Sequence, residues 1–310
     1  MDNIALRDAF WNRIYEIARG NKDIIVVSAD MGAPALDRFR KDIPDQFVNV
    51  GIAEQNGLVV SAGMAMEGKH CFLYGIAPFV TMRCLEQIRV ANSIMNIPVT
   101  VVGVGVGFGY DESGPTHHLI EDLALMRSMP HITINNITDN TMCAAIAEES
   151  CEMTNTNYVR LDRKVLPRIY EEGTDFSAGF SVLKEGDLGY IVGEGIMTHQ
   201  ALKVAEALAE KSLSVGVIDM HRIPTGEAAF IETIKECGKL ISLEEHFLPG
   251  GMGSYILELL NEYQVNLPVK RIGLSHDKGY CYTYGGRHRI HEYYGIDLPN
   301  ITQMVENFLK

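Results

Sequence analysis

Short β-branched and aliphatic runs alternate along this chain with longer stretches of helical periodicity. Asp23-Ile-Ile-Val-Val-Ser-Ala-Asp30 reads as a buried strand ending in polar residues, and Cys71–Tyr74 and Pro98–Gly103 read as two more. His131–Ile134 and Asn157–Leu161 follow, separated by amphipathic stretches such as Thr141–Met153. Continuous apolar strands spaced by helices indicate a parallel sheet covered on both faces. A polar, glycine-containing connection at Glu171–Gly179 interrupts the pattern. Beyond it the alternation restarts, with strands expected at Leu188–Val192, Ser214–Ile218, Lys239–Leu243 and Val269–Ile272. Helices are expected between them at Thr198–Lys211, Gly226–Cys237 and Gly253–Tyr263. The predicted fold class is α/β, with two doubly wound, mostly parallel domains over residues 1–172 and 182–310.

The stretch Val50-Gly-Ile-Ala-Glu-Gln-Asn-Gly57 places one carboxylate, Glu54, at the head of a largely apolar run that continues to Ala65. A carboxylate entering an apolar helix is costly to bury, so it is either exposed or held for a purpose. A first-turn position, favourable to the helix dipole, is the plainer account. With 46% hydrophobic and 22% charged residues, the 310-residue chain has the composition of a soluble globular protein with room for two cores. A net charge of −13 argues against nucleic acid or an anionic membrane as partner, although local basic clusters could still bind a small anion. Met1-Asp2-Asn3-Ile4 lacks the basic and apolar regions of a signal peptide, and Ile97–Gly109 is short and glycine-rich for a membrane helix. A cytoplasmic location is the expectation. The six cysteines form no Cys-x-x-Cys pair and the ten histidines no His-Glu-x-x-His, so reduced thiols and no metal site are expected.

Ligands of open parallel sheets sit beyond the carboxyl ends of strands. Four candidates fall there: Asp30, Glu54, the Tyr74–Phe79 stretch, and His117, which follows the glycine-rich Gly103–Gly109 segment. Each has a structural alternative. Asp30 could be a helix N-cap, Phe79 a core residue and His117 a loop histidine. The glycine run does not directly open a helix as a dinucleotide fingerprint would.

Taken in order, several motifs resemble the thiamine-diphosphate enzymes of the transketolase family. They are Leu6-Arg7, Ser28-Ala-Asp30, Gly51-Ile-Ala-Glu-Gln55, Glu86-Gln-Ile-Arg89, Gly114-Pro-Thr-His117 and Arg163-Lys-Val-Leu-Pro167. Leu243-Glu-Glu-His246, Gly250-Gly-Met-Gly-Ser254 and Gly285-Gly-Arg-His-Arg-Ile-His-Glu-Tyr-Tyr-Gly295 continue the match to the C-terminus. The resemblance implies a pyrimidine-binding domain followed by a transketolase C-terminal domain. The family's diphosphate-binding domain, with its Gly-Asp-Gly motif, has no counterpart here. The chain thus resembles the C-terminal subunit of a split transketolase. That implies thiamine diphosphate and Mg²⁺ held jointly with a separately encoded N-terminal subunit, the metal mainly by that subunit, in an α2β2 assembly built on homodimerisation of this chain.

By the same resemblance, Glu54 hydrogen-bonds N1′ of the cofactor's aminopyrimidine and thereby favours the 4′-imino form that deprotonates the thiazolium. Phe79 would stack on the pyrimidine, with Ile52, Tyr74 and Arg83 lining its pocket, and Asp30 would reach toward the thiazolium. His117 would contact the donor's carbonyl-derived oxygen and assist proton transfer, and Arg7 and Arg163 would grip a sugar phosphate bidentately. Two departures from the family bear on substrate. Ser113 stands where the family has the Asp that reads a substrate hydroxyl, and Gly105 stands where it has a phosphate-binding histidine. The implied reaction is transfer of a two-carbon ketol unit between sugars or sugar phosphates. The alternatives are a deoxyxylulose-phosphate-synthase-like or 2-oxoacid-dehydrogenase-β-like condensation or decarboxylation, and a non-catalytic regulatory paralogue. His246, His276, His288 and His291 are expected to be structural or interface residues of a domain that supports dimerisation.

Overall fold

The computed structural model describes residues 4–310, so Met1–Asn3, read above for a leader, lie outside the described residues. The chain divides into two compact units, residues 1–109 with 125–174 and residues 110–124 with 175–310. The 110–124 segment, expected in the first domain, thus groups with the second.

In the first unit six strands lie side by side in the order β5-β6-β4-β3-β1-β2, every pair parallel. They are β1 (Ile24–Ser28), β2 (Phe47–Asn49), β3 (His70–Ile76), β4 (Thr100–Val104), β5 (Ile132–Asn136) and β6 (Thr156–Leu161). Strands β1, β4 and β6 are buried along their whole length, as strands covered by helices on both faces are, and the polar Asn157 and Arg160 within β6 are bonded to Ser150 and Asn136. Helix α1 (Leu6–Ala18) packs Phe10, Trp11 and Ile14 fully inside, and Trp11 meets Tyr74 of β3 edge-on at 5.2 Å between centroids. Helix α2 is Pro34–Asp42 and helix α3 is Glu54–Met66. After Glu86-Gln87 the helical path widens into a π-helix over Ile88–Ile94.

The second unit pairs Val269–Leu274, Leu240–Phe247, Tyr190–Gly193 and Gly216–Asp219 in parallel, with Ser181–Lys184 antiparallel at the edge. The main sequence-derived strands and helices beyond the linker are present, with ends shifted by a few residues. Five of the six cysteines are buried and all are free thiols. Among the described residues no helix is long and apolar enough to cross a membrane.

Candidate active site

Because all six strands of the first unit run the same way, the loops after their carboxyl ends gather along one sheet edge. Glu54 is the first residue of α3, reached through Gly51, whose φ of 72° suits glycine. The residue is 5% exposed, yet Arg83 Nη1 donates to Oε2 at 2.7 Å while Oε1 has no hydrogen-bond partner among the described residues. The first-turn position and a held carboxylate therefore coexist. The Arg83 guanidinium lies 4.1 Å from the centroid of the half-buried Phe79 ring, and Gln55 Nε2 donates to the Arg83 carbonyl at 3.0 Å. Arg83 thus ties an aromatic face to a carboxylate. Beneath it the Cys84 thiol, pushed up to about 12 by burial with Glu54 adding to the shift, stays protonated.

Asp30 follows β1 with φ 55° and an exposed carboxylate. It is not a helix cap, since α2 is capped at Ala33. Asn49 Nδ2 donates to Asp30 Oδ1 at 3.1 Å, and Asn49 Oδ1 accepts from the Gly51 N–H at 2.9 Å. Asn49 was missed by sequence reasoning, and only its position between a strand and a glycine hints at it. This chain of contacts connects Asp30 to the start of α3, beside which Ile52 is 80% exposed.

The structure links Tyr74 to other residues. It is fully buried against Trp11 and interacts with the guanidinium of Arg7, whose charge burial opposes while Asp8 and Tyr74 favour it. Arg7 forms a fork with Asp8 at 3.0 and 3.1 Å. Arg163 is exposed just beyond β6. Gly105, beyond β4, has φ 84°, a backbone conformation that a histidine would adopt only with strain.

Ser113 and His117 belong to the segment grouped with the second unit. There Gly114 turns the chain at φ 77°, the His117 N–H donates to the Gly114 carbonyl at 3.0 Å, and His117 Nδ1 lies 3.0 Å from Thr116 Oγ1. His117 is half-buried and Ser113 exposed. The same unit holds a buried ionic cluster. Glu245 receives Arg287 Nε at 2.7 Å and Nη2 at 2.5 Å, and His291 Nε2 at 2.5 Å. Burial would raise the Glu245 carboxyl, but Arg287 and His291 outweigh it and hold it well below the usual carboxylate range. Nearby, burial lowers the His118 imidazole, with Glu245 and Asp111 opposing. The motifs carrying Glu245, Arg287 and His291 were visible in the sequence, but not their convergence.

Comparison with known proteins adds the lineage. Residues 2–168 match the family model described as "Transketolase, pyrimidine binding domain" and residues 179–301 that described as "Transketolase, C-terminal domain". The chain is 33% identical over 311 residues to an apulose-4-phosphate transketolase subunit of Phocaeicola vulgatus, covering 99% of this chain and 98% of that protein. It is 30% identical to the 6-deoxy-6-sulfo-D-fructose transketolase subunit SqwH of a Clostridium species, over 87% of this chain and 84% of that one. A solved structure described as "Split gene transketolase, inactive beta4 tetramer" superposes with a TM-score of 0.86 at 30% identity, covering 99% of this chain and 98% of that chain. The fold is therefore that of a two-domain thiamine-diphosphate-enzyme subunit. The chain belongs to the transketolase family and is of the split-subunit kind.

Proposed function

We propose that this chain is the C-terminal subunit of a split transketolase that moves a two-carbon ketol unit between sugars or sugar phosphates, using thiamine diphosphate and Mg²⁺ shared with a separately encoded subunit. The observation that carries the reading is Glu54. It is a nearly buried carboxylate with one oxygen engaged by Arg83 and the other open to a proton donor, beside an aromatic ring. That donor set fits an aminopyrimidine, which offers a protonatable ring nitrogen and a flat face. Thiamine diphosphate, when bound, supplies an acidic thiazolium carbon that cleaves the bond next to a ketose carbonyl. Glu54 would hold the proton at N1′, Phe79 would lie against the ring, and Arg83 would orient both. Ile52, with Asp30 reaching toward the thiazolium, would complete this chain's side of the pocket, and Tyr74 would act from the core through Arg7. His117 would pass a proton at the donor's oxygen, with Ser113 facing the sugar. Arg7 and Arg163 would grip an anionic group, and the metal would rest mainly on the other subunit.

Coexpression with the product of a neighbouring reading frame, followed by a ketol-transfer assay over several ketose donors, tests this. The pair should transfer the ketol unit. A pair that decarboxylates pyruvate without ketol transfer would replace the reading with a condensing enzyme, and a pair inert toward both would leave a regulatory subunit. In the active pair, Arg163→Lys should raise KM for a phosphorylated acceptor by about tenfold or more with little change in kcat. Such a loss of bidentate geometry is worth on the order of 1.5–3 kcal/mol.

Homodimerisation is supported by the face of α3. Val59 and Met66 are exposed there, and with Val90 and Met95 they line an apolar groove of about 360 Å³. The related split-gene structure is described as a β4 tetramer. Introducing a charge here, as Val59→Asp with Met95→Asp, should shift sedimentation toward monomer. Unchanged sedimentation would move the interface elsewhere.

A further inference from the structure

The ionic cluster of the second unit has a use that its burial alone does not explain. We infer that Asp111 is a positioning residue that fixes the loop presenting His117, by bonding to a helix that the cluster holds rigid. This role deepens the proposed function and rests on His117 taking part in the reaction.

Asp111 is 5% exposed, and its Oδ2 accepts from the Arg287 N–H at 2.8 Å. Residue 287 opens the helix Arg287–Tyr294, so this N–H is a first-turn donor without an intrahelical acceptor, and a carboxylate is the favoured group to meet it. The helix is not free to shift, because its Arg287 and His291 side chains both converge on Glu245. Glu245 lies in the strand Leu240–Phe247, whose last residue donates its N–H to the Ile120 carbonyl at 2.9 Å. One framework therefore grips the segment at Asp111 and again at Ile120. His117 lies between the two grips. A third contact backs the turn, where Tyr284 Oη would stand 3.1 Å from a Cβ placed on Gly114.

A half-buried histidine on a loop held at one end only would sample other positions, because unordered backbone gains conformational freedom by doing so. Displacing a proton-transfer group by about 1 Å lowers turnover on the order of 10²-fold. Asp111 adjusts this without touching substrate.

The test uses the chain assembled with its partner subunit and, separately, the chain alone. In the assembled enzyme Asp111→Ala should lower kcat by about 10- to 100-fold with KM nearly unchanged. Asp111→Asn, which keeps the acceptor, should recover most of the loss. Combining Asp111→Ala with His117→Ala should cost no more than His117→Ala alone. In the chain alone, amide exchange over 110–118 should quicken in Asp111→Ala and stay near wild type in Asp111→Asn, with the rest of the second unit unchanged. Additive losses in the double variant, or unchanged exchange in Asp111→Ala, would overturn the inference. Should the wild-type pair show no ketol transfer, the proposed function falls while the exchange measurement still decides whether Asp111 holds the loop.

Discussion

Glu54→Gln in the assembled enzyme is expected to lower ketol transfer by about 10²–10⁴-fold, the range for losing one positioned proton-transfer group. The substitution preserves shape, so the amide oxygen can still accept from Arg83, and the start of α3 keeps its geometry. Little stability should be lost with the ion pair, because the Arg83 side chain is 42% exposed and such pairs contribute at most about 1 kcal/mol. What the amide cannot do is favour the protonated ring nitrogen. Turnover within about threefold of wild type (under 1 kcal/mol in the barrier) would remove Glu54 from its proposed role.

Arg287→Met is expected to have the largest effect on folding, about 3–5 kcal/mol, because it strands a buried carboxylate that loses two charge-assisted bonds at once. The loss should depend on pH in a defined direction. In the native protein the Glu245 carboxyl titrates below its ordinary value of 4.5, so it contributes stability that is present above that value and lost as pH falls through the lower native one. In the variant only His291 opposes burial, so the same carboxyl titrates higher than in the native protein and less stability is lost when it is protonated. Urea unfolding at pH 7 and pH 4 should therefore show the gap between wild type and variant narrowing at the lower pH. A gap that widens on acidification would contradict the assignment of Glu245 as the charge Arg287 neutralises. The same variant loosens the helix on which Asp111 depends, so its activity should fall alongside its stability.

Much of the scaffold was legible because its signals are local. Strand β1 is an unbroken aliphatic run, and the polar linker after residue 170 is a change in composition. Glu54 stood out as one charge in an apolar helix, and the helix does start there. The pairings were not legible, since they join residues far apart in sequence. Arg83 lies 29 residues from Glu54, and Arg287 lies 176 from Asp111. No periodicity encodes such distances. For the same reason the grouping of residues 110–124 with the second compact unit was not legible, and the Glu245 motif suggested no role. Helix α1 and the π-turn at Ile88–Ile94 also carried no pattern-based expectation, the latter because its composition suits an ordinary helix equally well.

In the proposed enzyme this chain supplies the pyrimidine side of a cofactor site completed by another subunit. Calorimetric titration of thiamine diphosphate with Mg²⁺ into the chain alone, the partner alone and the two together tests this most directly. Tight binding is expected only in the mixture, weakened by Glu54→Gln on this chain. Equal binding by the partner alone, unaffected by the presence of this chain or by the state of Glu54, would contradict it.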